Sequence, residues 1–209
     1  MKNTQKKSDP IREQVTLTIQ QLLRSLPPAT KISKTRARTI IARYTAILEG
    51  NFIPWMAAAY VATSSKTVKE IAFNNLRDEI SQNHPGMLRK FAISANSAPT
   101  DKDYLAVHSG IEKVRWFVGE LQGVEILIML AFFENFIALF MPYLDDLAKK
   151  RGSKEFEYTD VHGVLDISHS DELFRAAQAE MQMRKGYKVT YASFKGVKLL
   201  SHLLASVFA

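Results

Sequence analysis

Residues 123–144 read GVEILIMLAFFENFIALFMPYL, the most apolar stretch of the chain. A membrane-spanning helix needs about 20 predominantly apolar residues, so this stretch is long enough to be one. Glu125, Glu134 and Asn135 interrupt it, and a carboxylate near the middle of a lipid-facing helix is expensive. The stretch therefore reads as the buried helix of a protein that does not span a membrane. Around it, alternating β-branched runs bounded by turns hardly occur, while apolar residues recur with a helical period. The fold class that follows is all-α.

Working outward, Ile11 to Leu26 reads as an amphipathic helix ended by Pro27 and Pro28. A second runs from Thr35 to Glu49 and stops at Gly50, the residue type favoured just past a helix end. Phe52 to Thr63 is short and apolar, with Pro54 in its first turn. Lys66 to Gln82 follows, Pro85 forces a break or kink, and residues 86–95 extend it. Ser97 to Asp101 is a loop with capping residues. Residues 101–118 and 119–149 form one broken helix or two. Thr159 or Asp160 would cap the helix that holds His162, and Tyr187 to Phe208 closes the chain. The expected architecture is seven or eight helices in a single domain over residues 1–209, with residues 1–9 as a disordered tail.

Composition narrows the function. The chain has 209 residues, 46% of them hydrophobic, and no cysteine. Disulfides, thiolate zinc sites, iron–sulfur clusters and cysteine nucleophiles are thereby excluded. The polar, basic start MKNTQKKSDP lacks the apolar run of a signal peptide, so the expected compartment is the cytoplasm. The net charge is +7, but the basic residues are dispersed, densest at Lys6–Lys7, Lys31 to Arg43 and Lys149 to Lys154. None interleaves with aromatics as a nucleic-acid-binding face would. Solvated helix faces and a small anionic substrate are the expected use of this charge, with no nucleic-acid or membrane partner. Arg115 and Arg175 are candidates to hold the anionic group, and a homodimer is the base-rate expectation for assembly.

The segment YTDVHGVLDISHSDELF, residues 158–174, carries the chemistry. His162, Asp166 and His169 stand at i, i+4 and i+7, within about 60° of one another on a helix. Two imidazoles and a carboxylate on one stripe are the ligand set of a non-haem iron site. The same three residues would also occur on an ordinary helix face, and Ser168 or Ser170 would break the stripe by starting a new helix. Gly163 weakens the helix by about 1 kcal/mol relative to Ala.

Two further segments extend the set. NNLRDEISQNHPGMLRKF, residues 74–91, holds Glu79 and His84, and AFFENFIALF, residues 131–140, surrounds Glu134 with apolar side chains. A buried carboxylate needs a partner: a cation, an arginine, or a proton of its own. Glu79, His84, Glu134, His162, Asp166 and His169 together give three carboxylates and three imidazoles, which two divalent ions would nearly neutralise. Five residues on an ideal helix turn about 140°, a poor fit of Glu79 and His84 to one face, so Asp78 is the alternative to Glu79. Glu120, 14 residues before Glu134 and close to the same helical face, is the reserve ligand. His108 reads as a helix or turn residue and His202 as a packed core histidine. Trp55, Trp116, Phe132, Phe133 and Phe136 are expected in the core, some of them lining a dry pocket. The ferritin-like arrangement requires Glu-x-x-His on two helices; Ile137 follows Glu134 and Gln82 follows Glu79 at that spacing, which excludes it.

In the order NLRDE…HPGMLRKF, FFENF and HGVLDISH, the chain resembles the haem-oxygenase-like diiron oxidases, which share the TenA/PqqC/CADD helical fold. The resemblance covers roughly residues 40–180, and its most specific motif is H-x3-D-x2-H; the family's first Glu–His pair is spaced more widely than Glu79 and His84. It implies an oxidoreductase that holds two iron ions, ferrous in the resting site with manganese as an alternative, at the six residues named, and that uses O2 to oxidise a small metabolite. The ligand pattern is similar to CADD-like proteins, in which a tyrosine is consumed; Tyr44 and Tyr60 are the candidates for that place, and otherwise core aromatics with satisfied hydroxyls. TenA-type thiaminases need a cysteine, and a haem oxygenase needs a histidine near its N-terminus, whereas the first here is His84. Three readings stand beside the diiron one: a metal-free PqqC-like oxidase, a mononuclear iron enzyme on His162, Asp166 and His169, and a non-catalytic interaction module.

Overall fold

The computed structural model describes residues 9–209. Helices α1 (Pro10–Arg24), α2 (Lys34–Leu48), α3 (Phe52–Ala62), α4 (Lys66–Ser81), α5 (His84–Ser94), α6 (Asp101–Gly119), α7 (Gly123–Lys150), α8 (Glu157–Met183) and α9 (Lys195–Ser206) follow one another, with short 3₁₀ turns at Ala29–Lys31 and Tyr191–Phe194. The described residues contain no strand. Counted as one broken helix, α4 and α5 bring the total to eight. The expected tail lies outside the described residues except for Asp9, whose carboxylate caps α1 by accepting from the Ile11 and Arg12 N–H groups.

Helix α7 is the apolar stretch from which the fold was read. It is long and apolar enough to cross a membrane, and 83% of its most apolar window is buried within the protein. Helices α1, α2, α3, α8 and α9 all pack on it. Its longest partner is α8, and the two run antiparallel: the Ser170 hydroxyl donates to the Ala131 carbonyl at 3.0 Å, while Gly163 faces Met141. A buried element that is apolar on nearly every side must be covered on every side, which makes α7 the axis of the bundle.

Part of the basic charge holds main-chain ends together. Arg36 and Arg43 donate to the last carbonyls of the chain, Lys150 to the carbonyls of Ala29, Thr30 and Ile32, and Arg151 to those of Ala95 and Asn96. Orphan carbonyls at helix ends and turns need donors, and long cationic side chains supply them.

Three boundaries differ from expectation. Helix α8 starts at Glu157, and the Thr159 hydroxyl turns back onto the Phe156 carbonyl instead of capping. Neither Ser168 nor Ser170 interrupts α8; their hydroxyls bond the Leu165 and Ala131 carbonyls. The last helix begins at Lys195, because Thr190 and Ser193 form a capping box that competes with continuous helix over 187–194. Trp116, expected in the core, is 77% exposed. Adjacent helical residues point about 100° apart, and the buried stripe of α6 passes through Val114, Phe117 and Val118.

Candidate metal centre

All six predicted residues are buried and converge in the space between α4, α5, α7 and α8. Glu79, His84 and His162 bring one ligand atom each within 4.8 Å of one another, and so do Glu79, Glu134 and His169. Glu79 belongs to both groups. Asp166 lies one helical turn from each histidine of α8, fully buried beside Glu134.

The stripe on α8 arises as the spacing predicts, because the helix is uninterrupted from 157 to 183. The Glu79–His84 pair arises differently. Helix α4 ends at Ser81, Asn83 adopts a left-handed φ of 54°, and α5 begins at His84 with Pro85 in its first turn. The two-residue break turns the chain back, and His84 Nδ1 comes to 2.7 Å from Glu79 Oε1. The 140° of an ideal helix does not apply across it. Asn83 tolerates the left-handed region better than most residues, and its exposed side chain lies against Gly86, where a Cβ would come within 2.3 Å of the amide. Asp78, the alternative to Glu79, is partly exposed and stands outside both groups, with Oδ2 3.8 Å from His169 Nε2.

Hydrogen bonds fix one imidazole. His162 Nδ1 lies 2.8 Å from the Tyr158 carbonyl, which only accepts, so Nδ1 carries the proton and Nε2 carries the lone pair. Burial pushes the His162 pKa down to about 4, helped by the neighbouring His84. His169 is lowered for the same first reason. Both rings are therefore neutral donors at neutral pH.

The carboxylates are held at a cost. Apart from each other, Glu134 and Asp166 have no hydrogen-bond partner at any of their four buried oxygens, and Nδ1 of His169 is buried without one. No arginine or lysine among the described residues pairs with Glu134 or Asp166, which removes the arginine alternative for Glu134. Burial, and then the charge of neighbouring carboxylates, drives both acids well above the usual carboxylate range. Unpartnered buried carboxyls destabilise a fold by several kcal/mol unless something neutralises them. Five orphaned donor atoms aimed into one space, all oxygen or imidazole nitrogen with no thiolate, fit divalent first-row metals such as iron.

A narrow cavity of about 50 Å³ opens onto one side of the cluster, at Glu79, His84 and His162. Its other walls come from Leu48, Phe52, Ile53, Pro85, Leu88, Ile137 and Tyr158. At its rim, Glu49 accepts from the Tyr104 hydroxyl at 2.5 Å and pairs with Arg89. No lysine or arginine lines the pocket. Arg115 is bonded to Asn51 and Glu112, and Arg175 pairs with Glu172 on the surface. Neither lines this pocket.

Other candidates resolve plainly. Glu120 is exposed and paired with Lys195; Leu121, at φ 52°, separates it from α7, so its helical phase with Glu134 is lost. Tyr44 is buried and shares a 2.9 Å hydrogen bond with the Tyr158 hydroxyl, whereas Tyr60 is a surface residue against Phe73. Two residues were missed. Tyr158 lines the pocket, packs on His162 and orients it; its place four residues before His162 was the available signal. Glu180, fully buried, accepts from the Ser64 and Ser65 N–H groups at the start of α4. It stands 11 residues after His169, about 20° away on the same stripe.

A family model described as iron-containing redox enzyme matches residues 41–194, from within α2 to the turn before α9. No curated protein matches the chain.

Proposed function

Because the chain belongs to the iron-containing redox enzymes, a haem-oxygenase-like family, we propose that it is a non-haem diiron oxidase that uses O2 to oxidise a small, largely apolar metabolite. Glu79, His84, Glu134, His162, Asp166 and His169 would hold the two ions. The observation that carries this reading is the set of orphaned atoms on Glu134, Asp166 and His169, joined through Glu79 to a second three-residue group at the pocket. Iron in such a site supplies electrons and open coordination positions for O2 reduction.

The chain's own residues supply the rest. The Tyr158 carbonyl holds the proton on His162 Nδ1 and so presents Nε2 to the cluster. His84 Nδ1 and Glu79 Oε1 lie 2.7 Å apart, so each side chain orients the other at the cluster. Burial keeps the paired phenols of Tyr44 and Tyr158 protonated. Leu48, Phe52, Ile53, Leu88 and Ile137 exclude water from the substrate's side of the cluster.

Anaerobic ferrous titration followed by oxygen exposure tests the proposal. Saturation at two irons per chain with an oxygen-dependent absorbance change is the expected result. Saturation at one iron would favour the mononuclear reading. No iron uptake overturns both and leaves the metal-free oxidase.

A further inference from the structure

We infer that the seam between α4 and α8 is a cation entrance, separate from the apolar pocket, through which divalent ions reach the buried cluster. This rests on the metal-binding reading above. Asp78 on α4 and Glu172 on α8 both lie near His169 at the seam, with side chains 32% and 39% exposed. Beside Glu172, Asn75 of α4 is buried: its Nδ2 donates to Glu172 Oε2 at 3.0 Å and to the Ile71 carbonyl, and its Oδ1 is left without a partner. Directly inward, Asp78 Oδ2 is 3.8 Å from His169 Nε2, and the ring's other nitrogen, Nδ1, is 3.9 Å from Glu134 Oε1. Oxygen and nitrogen donors thus run from half-exposed carboxylates, past an orphaned amide oxygen and His169, to the orphaned carboxyls of Glu134 and Asp166.

The pocket offers an ion no such ladder. A hydrated divalent cation sheds water only where oxygen or nitrogen replaces it, and between the rim and the ligands the pocket walls are leucine, isoleucine, phenylalanine and proline, with the one hydroxyl, that of Tyr158, already bonded to Tyr44. Its rim carboxylate, Glu49, is already taken by Arg89 and Tyr104. On the seam, the arginine paired with each acid lies on the surface: Arg77 at 3.7 Å from Asp78 and Arg175 at 3.7 Å from Glu172, 58% and 68% exposed. Ion pairs this exposed are weak, and a divalent ion displaces them readily.

The test is the rate of loading of anaerobic, metal-free protein with ferrous ion, followed by stopped flow against a chromogenic chelator, with the final iron content measured beside it. Asp78→Asn combined with Glu172→Gln is expected to slow uptake about tenfold at low salt, an effect of electrostatic steering that fades near 1 M salt, while the final iron content stays that of the wild type. Arg77→Gln combined with Arg175→Gln is expected to speed uptake under the same conditions. An acid variant that loads at the wild-type rate with full iron content overturns the seam and leaves the cluster standing, as does slowing that is identical at high salt. A wild type that takes up no iron overturns both.

Discussion

Two regions present ligands to the same cluster by different means. Helix α8 supplies His162, Asp166 and His169 from one uninterrupted run, so their common direction follows from 100° per residue and is held by every backbone bond between them. The α4–α5 junction supplies Glu79 and His84 from either side of a helix end, and their contact is held by the left-handed turn at Asn83. Helical phase is information only within one helix. The same rule explains Glu120, whose calculated alignment with Glu134 is cancelled by the break at Leu121.

The largest expected effect falls on the side of α7 and α8. Glu134→Gln combined with Asp166→Asn should weaken ferrous binding by more than about 100-fold, beyond the usual loss for an outer residue. At alkaline pH, where the wild-type acids ionise, the metal-free variant should nonetheless melt higher than wild type, since a neutral amide is less costly to bury than a carboxylate. Calorimetry of both forms checks the pair of outcomes, and a variant that melts lower at that pH while metal-free would contradict the account of these carboxyls.

pH should separate the bound and metal-free states next. Glu134 and Asp166 have raised pKa values, from burial first and neighbouring carboxylates second. A raised carboxyl contributes stability that is complete below its unfolded value of about 4 and is lost as pH rises. The metal-free protein should therefore melt at lower temperature at about pH 8 than at about pH 6.5. Ferrous affinity should move the other way, rising about tenfold per pH unit for each proton displaced. His162, pushed down to about 4, takes stability away only on the acid side, below its unfolded value of about 6.5. Competition titrations and melting curves across that window give both signs.

The junction is probed by Gly86→Ala, whose Cβ would meet the Asn83 side chain at 2.3 Å. The exposed Asn83 side chain must move to make room, and if that disturbs its left-handed turn, displacement of His84 should lower iron stoichiometry while helical content measured by circular dichroism stays intact. The smallest effect belongs to α8 itself. Gly163→Ala would place a Cβ 3.7 Å from Met141, an ordinary contact, and should stabilise the protein by about 0.5–1 kcal/mol through helix propensity. If Gly163→Ala destabilises and Gly86→Ala does not, the contrast between the two regions is wrong.

Read as a string, the chain already declares an all-α fold around residues 123–150, the ligand stripe on α8 and a buried acid at Glu134. Each of these depends on period or composition inside one continuous helix, and local geometry determines those. Tertiary structure decided the remainder. It brought His84 back onto Glu79 across a two-residue turn, set Glu180 to cap α4 instead of joining the cluster, turned Trp116 outward, and left Arg115 and Arg175 away from an apolar pocket. Turn conformation and the pairing of distant helices depend on contacts between residues far apart in the chain, and no local period encodes them.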